Sequence, residues 1–374
     1  MKAIAVLPQG LEEEGAKELA SLGATSVTPM RRSVAFVADM ACFYRLHLQA
    51  RLPFRLLREM ARFPCNGPKS LYFSVQRAVD WERWLHPSMT FRVDVSGSCF
   101  GLTHTHFTAL QVKNALIDLQ RDLWGERSDI DLDEPDLCFH LHLNQSGGIL
   151  SLDGSGESLH RRGYRAAMGL APLKENLAAG LIRMTGWNET SPLIDPLCGS
   201  GTLLIEAVSS LLKISPGLHR SFLFEGWADF DQDLWEQQKK RSKSSECKDK
   251  NVPLIIGCEM DSEIANQAKA NISSAGLEEI IKIQNTHFTE LSLPNDKGII
   301  VCNPPYGRRV GVNEDLKLLY GELGRFLKQN ASGWEFWLLN GNRNLSSFMR
   351  MKASKRFPIS NGGIDCRWLK YSIH

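Results

Sequence analysis

The stretch that decides the fold is SPLIDPLCGSGTLLIEA, residues 191–207. Its apolar run ends at Asp195, the small residues Gly-Ser-Gly follow at 199–201, and a helix is predicted from Thr202. Glycines let the backbone approach a ligand closely, and the first turn of a helix offers free N–H groups. In a sheet of parallel strands, the first strand-to-helix turn is the usual ligand crevice. The stretch therefore predicts an α/β domain that binds a nucleotide-like ligand.

Strands and helices alternate around this turn, from about residue 173 to the end of the chain. This alternation is typical of a doubly wound, Rossmann-like parallel sheet with helices on both faces. The helices are predicted over 173–184, 201–212, 262–274 and 314–328. The tail 350–373 is expected to supply two last strands. The polar stretch 237–251 is predicted to be a loop.

The first half of the chain lacks this alternation and divides into two smaller units. Residues 1–60 read as strand, helix, two paired strands and helix, which predicts a small α+β unit. Residues 61–153 contain a long helix over 105–124 and two strands joined by Ser-Gly-Gly, a common hairpin turn. Residues 154–165 read as a connector, so the third unit is predicted to run over 154–374.

The composition is that of a folded protein without membrane spans. Of the 374 residues, 43% are hydrophobic and 23% are charged, and no apolar run is long enough to span a membrane. Consecutive glutamates close to the first residue are not typical of a signal peptide. The nine cysteines are scattered without any C-x-x-C pair. A reducing cytoplasm is therefore expected, rather than a disulfide framework or a zinc ribbon.

Two histidine pairs are candidate metal ligands. His104 with His106 and His140 with His142 are spaced so that each pair could share one face of a strand. The sequence places no carboxylate or third histidine beside either pair, whereas a zinc site needs three or four ligands. We therefore interpret both pairs as ordinary strand residues and predict no metal.

A second motif, IIVCNPPYGRR, occupies residues 299–309 at the end of a later apolar strand. Prolines cannot donate backbone hydrogen bonds and stiffen the loop, so carbonyl oxygens can point outward. The side-chain oxygen of Asn303 and the carbonyl of Pro304 can then accept from one exocyclic NH2 group, which makes its nitrogen a better nucleophile. The Tyr306 ring can stack on a base that is flipped out of its helix. The motif predicts chemistry on the amino group of a base.

The strand LIIGCEMD, residues 254–261, ends in two carboxylates. A carboxylate at this strand tip can accept hydrogen bonds from both ribose hydroxyls. Glu259 is favoured for that role, because Asp261 can instead cap the helix that follows. A dinucleotide oxidoreductase is disfavoured, because the turn at 199–201 lacks the third glycine of G-x-G-x-x-G.

Together, DPLCGSGTLLIEA and NPPYG resemble the S-adenosylmethionine-dependent methyltransferases that modify amino groups of bases. The segments SGESLHRRGYR and APLKENLAAGLI resemble the linker and the first helix of the THUMP-containing RNA methyltransferases. From about residue 60 to its end, the chain is most similar to the bacterial 23S rRNA guanine-N2 methyltransferases in a short form with one catalytic domain. The resemblance implies a ferredoxin-like domain over 1–60, a THUMP domain over 61–153 and a methyltransferase domain over 154–374. Larger relatives carry a second methyltransferase domain, so one modification is expected here.

The resemblance also implies a role for each matching residue. The glycine turn would hold the amino-acid part of the cofactor, Glu259 its ribose, and the NPPY loop the target amine. His287 stands where the family often has an aspartate near the adenine, which is a departure. The implied cofactor-binding residues are Asp195, Cys198, Gly199, Ser200, Gly201, Thr202, Glu259 and His287, and the implied catalytic residues are Asn303, Pro304, Pro305 and Tyr306. No strong base is expected, and Glu206 is predicted to face solvent or to brace the turn.

Arginines in the first half are candidates for contacts with RNA phosphates. The candidate residues are Arg31, Arg32, Arg55, Arg58, Arg161, Arg162 and Arg165. The spacing of Arg51, Arg55 and Arg58 would place them on one side of a helix, provided that the helix persists past Pro53. The alternative for each arginine is a solvated surface position.

The function favoured by the sequence is formation of N2-methylguanosine in 23S rRNA, with S-adenosylmethionine as cofactor and RNA as substrate. The enzyme is expected in the cytoplasm, and neither a metal nor a membrane is an expected partner. The same chemistry on tRNA is a close alternative, since THUMP domains serve both kinds of RNA. Adenine-N6 methylation of DNA is a further alternative, because NPPY also serves adenine amines. A non-catalytic RNA-binding protein is disfavoured by the intact glycine turn and NPPY motif.

Overall fold

The computed structural model describes residues 1–165, 173–247, 251–307 and 313–374. These residues form two seven-stranded sheets, one in each half of the chain. Among them, no helix has the length and apolar character needed to cross a membrane.

The first sheet has the strand order β2-β3-β1-β4-β7-β6-β5. Its strands are β1 (Lys2–Val6), β2 (Thr25–Met30), β3 (Ser33–Val37), β4 (Arg55–Phe63), β5 (Phe91–Gly97), β6 (Leu137–Asn144) and β7 (Gly147–Asp153). The helices in this half are α1 (Glu12–Ser21), α2 (Met40–Gln49), α3 (Pro68–Gln76), α4 (Trp81–Trp84) and α5 (Thr105–Trp124). Because β4 pairs with β1 on one side and with β7 on the other, the sheet runs without a break through residues 1–153.

The condition for a shared helical face of arginines, a helix that persists past Pro53, is not met. Helix α2 ends at Gln49, and residues 55–63 form β4 in the middle of the sheet. Leu56 and Leu57 are both buried there, as expected for a strand covered on both faces. Side chains alternate between the faces of a strand, so Arg55 and Arg58 lie on opposite faces rather than on one side of a helix.

The second sheet has the order β10-β9-β8-β11-β12-β14-β13. Its strands are β8 (Leu193–Asp195), β9 (Ile255–Cys258), β10 (Ile281–Gln284), β11 (Ile299–Cys302), β12 (Glu335–Asn340), β13 (Lys355–Asn361) and β14 (Ile364–Ser372). The helices are α6 (Glu175–Thr185), α7 (Thr202–Leu211), α8 (Gln232–Ser244), α9 (Ser262–Ser274), α10 (Asn313–Asn330) and α11 (Arg343–Ser347). Strands β8 to β12 are parallel, and β14 joins them antiparallel. The predicted doubly wound sheet is confirmed, and its strand order reverses between β8 and β11.

Residues 218–235, in the insertion between α7 and β9, pack onto the first half of the chain. Phe224 stacks on Tyr44 of α2 with ring centroids 4.7 Å apart, and Trp235 is almost fully buried against both rings. Large aromatic side chains contribute strongly to packing when they are buried. This long insertion therefore ties the methyltransferase-like sheet to the N-terminal half.

The prediction of a loop over 237–251 is wrong for its first part, because α8 continues to Ser244. Asp231 caps this helix by accepting from the N–H of Leu234 at 2.9 Å. Gln238 and Ser242, one turn apart, are buried against α2 despite their polarity. The polar composition of this stretch predicted a loop, although one face of the helix is buried. Residues 248–250 lie outside the described part of the chain.

Candidate active site

The glycine turn lies at the carboxyl end of β8, as predicted. Gly199 and Gly201 both have positive φ, 52° and 79°, which side chains with a Cβ rarely adopt. A Cβ built on Gly199 would meet no atom within 4 Å among the described residues, so the turn faces open space. Thr202 begins α7 directly after Gly201, and its first N–H groups lie at this turn. The geometry leaves room for a ligand against bare backbone.

Two neighbouring strands bring acids to the same edge of the sheet. The carboxylate of Glu259, just after β9, accepts from the N–H of Gly199 at 3.2 Å and from the N–H of Asp261 at 3.0 Å. Asp261 itself caps α9 through the N–H groups of Glu263 and Ile264. Asp261 therefore caps the helix through one carboxylate oxygen, as the sequence predicts, and the ribose role of Glu259 stays a prediction.

Asp195 is a buried acid at the tip of β8. Its pKa is raised to about 8, mainly by burial; a hydrogen bond from the N–H of Leu197 lowers the pKa, and the nearby Glu259 raises it. Within the described residues, no cation forms an ion pair with Asp195. A buried carboxylate of this kind is stabilised by a bound cation.

His287 follows β10, the next strand beyond β9. Its Nδ1 lies 2.7 Å from Thr289 Oγ1, and its ring lies against Phe288 with centroids 4.4 Å apart. Asn285, which sequence reasoning missed, donates to the carbonyls of both Glu259 and Met260. The carboxyl ends of β9 and β10 are thereby joined, and His287 lies at the predicted edge of the sheet.

The NPPY loop follows β11, which pairs in parallel with β8. The side-chain oxygen of Asn303 is buried and has no hydrogen-bond partner within the described structure. Buried acceptors in native proteins are nearly always paired, and an exception calls for an explanation. Asn303 follows the strand beside β8, so this unpaired oxygen belongs to the same sheet edge as the glycine turn.

Tyr306 is held in place by residues far away in sequence. Asn361, at the end of β13, donates to the Tyr306 hydroxyl at 2.8 Å. A Cβ on Gly341 would come within 2.7 Å of the Tyr306 ring, so this glycine permits close packing. Tyr320 donates to the carbonyl of Pro305 at 3.4 Å. No local sequence signal marks Asn361 or Gly341 as part of this site, because β13 and β12 approach it only in the folded sheet.

The prediction that Glu206 faces solvent is wrong. Glu206 is 1% exposed and lies between Arg51 Nη1, at 3.5 Å, and Arg162 Nε, at 3.7 Å. Tyr164 also donates to it, at 3.2 Å. These partners come from α2's end and from the connector, so Glu206 links helix α7 to the N-terminal half. Its carboxylate is engaged structurally, as a brace rather than a base.

Several predicted RNA-binding arginines lie in internal contacts. Arg58 pairs with Asp229 through both carboxylate oxygens, at 2.9 and 2.7 Å, and its guanidinium lies over the rings of Trp84 and Trp227. Arg55 pairs with the buried Asp153. These guanidinium groups already have protein partners.

The connector arginines divide in the same way. Arg162 donates to the carbonyls of Leu159 and Arg51, and Arg165 pairs with Glu175 at 2.6 Å and donates to Thr202 Oγ1 at 3.3 Å. Arg161 is mostly exposed and pairs with Glu157 in the connector. Arg31 and Arg32 lie exposed in the turn between β2 and β3. The phosphate role stays a prediction for all seven arginines and fits best for these three exposed ones.

The histidine pairs do not form a metal site within the described residues, where no group of three potential ligands converges. His142 pairs with Ser96 on the neighbouring β5, and burial lowers the pKa of His140 to about 4. The expectation that His104 and His106 share a strand is wrong, because α5 begins at Thr105.

Three family models match this chain in succession. The RlmL ferredoxin-like domain matches residues 2–57, the THUMP domain matches residues 73–153, and the RMKL-like methyltransferase domain matches residues 162–370. The predicted resemblance to THUMP-containing RNA methyltransferases and the predicted fold class are confirmed by these matches.

Proteins similar in sequence lead to the same family. A Synechocystis sp. protein described as a candidate RNA methyltransferase is 43% identical over 99% of this chain and 96% of its own length. A Cellvibrio japonicus protein named ribosomal RNA large subunit methyltransferase K/L is 40% identical over 99% of this chain and 51% of its own length. The chain thus spans about half the length of the K/L relatives that it matches.

A solved structure agrees over the whole chain. SMU.472, a candidate methyltransferase crystallised with SAH, superposes with a TM-score of 0.88 at 25% identity, over 100% of this chain and 98% of its own. The prediction of a methyltransferase that depends on S-adenosylmethionine is confirmed at the level of the family and fold. On this evidence, the chain belongs to the RMKL-like methyltransferase family.

Proposed function

We propose that this protein transfers a methyl group from S-adenosylmethionine to the exocyclic N2 of a guanosine in 23S rRNA. The observation that carries the proposal is the side-chain oxygen of Asn303, which is buried, has no hydrogen-bond partner among the described residues and follows the strand next to the glycine turn. An acceptor in this state matches an amine that arrives with the substrate. The names of the K/L relatives support large-subunit rRNA as the substrate.

The residues around the glycine turn fit a cationic cofactor. The open space at Gly199 admits a ligand against the backbone, and the two acids Asp195 and Glu259 have no cation paired with them among the described residues. We assign Asp195 to the ammonium group and Glu259 to the ribose hydroxyls. Cys198, Ser200, Gly201 and Thr202 complete the turn, and His287 is assigned to the adenine side. Bound S-adenosylmethionine supplies an electrophilic methyl group.

The NPPY loop positions the nucleophile. The Asn303 oxygen and the Pro304 carbonyl accept the two N–H bonds of the amine, so its lone pair is directed away from the base ring and toward the methyl group. Tyr306 supports the flipped base by stacking, with its ring fixed by Asn361 and Gly341. Pro305 holds the loop rigid and is fixed through its carbonyl by Tyr320. Positioning of this kind can lower the activation free energy by up to about 7–11 kcal/mol.

The chemistry requires neither a covalent enzyme intermediate nor a strong base. Burial raises the pKa of the Cys258 thiol to about 11 and also raises the pKa values of Cys198 and Cys302, so none of these thiols is an activated nucleophile. The amine gains positive charge as the new N–C bond forms, and the acceptors Asn303 and Pro304 stabilise that charge. The proton is then lost easily to water.

The N-terminal half holds the RNA in this proposal. Its match to a THUMP domain supports an RNA substrate over DNA. We keep the domain boundaries 1–60, 61–153 and 154–374 as proposals, with the continuous first sheet joining the first two domains. We expect the enzyme to act in the cytoplasm, where its RNA substrate is found.

Nucleoside mass spectrometry of RNA from cells with and without this gene tests the proposal. Loss of one N2-methylguanosine from 23S rRNA is the expected result, and mapping of RNA fragments then locates the nucleotide. Loss from tRNA would keep the chemistry and change the substrate. An unchanged set of modified nucleosides in both RNA fractions would contradict the proposal.

A further inference from the structure

A cleft of about 330 Å³ lies where the N-terminal half meets the hairpin between β13 and β14. Three parts of the chain line it: the first sheet around Phe54, the connector with the start of α6, and hairpin residues 360–363. The N–H of Ser360 donates to the carbonyl of Gln9 at 3.1 Å, which fixes the hairpin against the N-terminal half. Its volume is at the lower end of the range for ligand pockets, about 300–1,000 Å³.

The charge of this cleft is positive. Arg32, Arg55 and Lys174 line it, and no Asp or Glu is among its described lining residues. Arg55 is paired with Asp153, but neither Arg32 nor Lys174 has a carboxylate partner within the described structure. The positive surroundings also act on the neighbouring His160, whose pKa is lowered to about 4, first by burial and then by Lys174 and the connector arginines.

The lysine of this cleft is held in position without being neutralised. The ammonium group of Lys174 lies 5.0 Å from the centre of the Phe54 ring, a cation–π contact. Ser158, Ser360 and Asn361 add hydroxyl and amide groups to the same walls. Two unpaired cations with hydrogen-bond donors around them match an anion with several oxygens, such as a phosphodiester.

The cleft adjoins the site of methyl transfer through one side chain. Asn361 lines the cleft and donates to the Tyr306 hydroxyl at 2.8 Å. In the proposed function, the target base stacks on Tyr306. An RNA strand that places its base there would carry its next phosphates past Asn361.

We propose that this cleft binds a backbone phosphate of the nucleotide next to the methylated one, through Arg32 and Lys174. The inference rests on the proposed function for the RNA substrate and for the position of the target base at Tyr306. It extends the RNA-binding surface from the N-terminal half to α6 and the β13–β14 hairpin of the methyltransferase domain.

A double variant, Arg32→Asn with Lys174→Ser, tests the cleft. Asn tolerates the positive φ of 59° at residue 32, and Ser suits the N-cap of α6 at residue 174, so both changes fit the local backbone. The matched control is Lys17→Ala, which removes an exposed cation from α1 outside the cleft. Filter binding of an in vitro transcript of 23S rRNA, at 50 and 200 mM salt, is the measurement. Thermal denaturation checks that each variant folds.

Each phosphate that the protein neutralises on a single strand contributes about 0.7 to the slope of log affinity against log salt, so loss of the one phosphate in the cleft reduces the slope by about 0.7. Over a fourfold change in salt, the wild type should therefore lose about 2.6-fold more affinity than the double variant. The control should behave as the wild type. Equal affinity and equal slope in the double variant and the wild type would overturn the proposal that the cleft binds a phosphate.

The binding assay separates this inference from the proposed function. A double variant with the reduced slope, in a protein that methylates neither rRNA nor tRNA, would leave the cleft standing and contradict the proposed function. Methylation of RNA by the wild type, together with an unchanged salt slope in the double variant, would support the proposed function and contradict phosphate binding in the cleft. A wild type that binds neither the transcript nor tRNA would overturn both.

Discussion

Replacing Asn303 by Ala should affect catalysis and stability in opposite ways. In the proposed reaction, the Asn303 oxygen accepts from the amine as positive charge develops on it. Removal of one preorganised hydrogen-bonding group at developing charge typically costs about 2.7–4 kcal/mol, or a factor of about 10²–10³ in kcat. We expect a loss of kcat in this range, with little change in the affinity for the cofactor.

The free energy of unfolding should not fall in the same variant. The Asn303 oxygen is buried and has no partner among the residues that the structure describes, and leaving an acceptor in that state costs about 1–3 kcal/mol. Removing it relieves this cost and offsets the packing lost with the side chain. The matched control is Asn340→Ala at the end of β12, where the buried Asn340 oxygen accepts from the N–H of Asn342 at 3.0 Å. This control should lose about 1 kcal/mol of stability.

Two assays decide between these expectations. Single-turnover methyl transfer to rRNA gives the chemical rate, and urea unfolding gives the stability of each variant. A wild-type rate in the Asn303→Ala variant would refute the assigned role. A loss of stability equal to that of the Asn340→Ala control would refute the claim that the oxygen is unpaired in the free protein.

Three further predictions concern ionisable side chains. Burial raises the pKa of Asp195 to about 8, so its carboxyl group is protonated at pH 7 in the free protein. A cationic ligand favours the charged form, and binding of SAH should therefore release a proton. The affinity for SAH should rise from pH 6 to 8. Calorimetry in two buffers of different ionisation heat measures this proton, and its persistence in the Asp195→Asn variant would contradict the assignment. Glu206→Ala leaves Arg51 and Arg162 buried without their shared carboxylate, so it should lower the free energy of unfolding by about 3–5 kcal/mol. A loss below about 1 kcal/mol in urea unfolding would contradict the structural role of Glu206. Arg58→Ala should lower the melting temperature and leave the salt dependence of RNA binding unchanged, and a reduced salt slope would instead support a phosphate contact.

Local sequence signals predicted the second half of the chain well. Helix α9 begins and ends where its pattern and its Asp261 cap placed it, and the glycine turn lies at the tip of β8. These features depend on residues that are close in sequence: a cap, a periodic apolar face and glycines that tolerate positive φ. The same holds for α5 over Thr105–Trp124.

Three features that local sequence patterns did not predict depend on contacts between residues distant in sequence. The arginines at 55 and 58 lie on strand β4 rather than on a continued helix, because β1 and β7 pair with this strand on both sides. Glu206 is buried because Arg51 and Arg162 approach it from other elements. Asn361 could not be found as a support of Tyr306, since only the folded sheet brings β13 beside the NPPY loop.

The central claim is that this protein methylates the exocyclic amine of a guanosine in RNA. The most direct measurement uses the purified protein, 23S rRNA from cells that lack the gene, and S-adenosylmethionine with a deuterated methyl group. Digestion to nucleosides and mass spectrometry then locate the label. The predicted result is deuterated N2-methylguanosine as the labelled product. Label on a ring carbon, a ribose oxygen or adenine N6, or no label in the RNA, would contradict the claim.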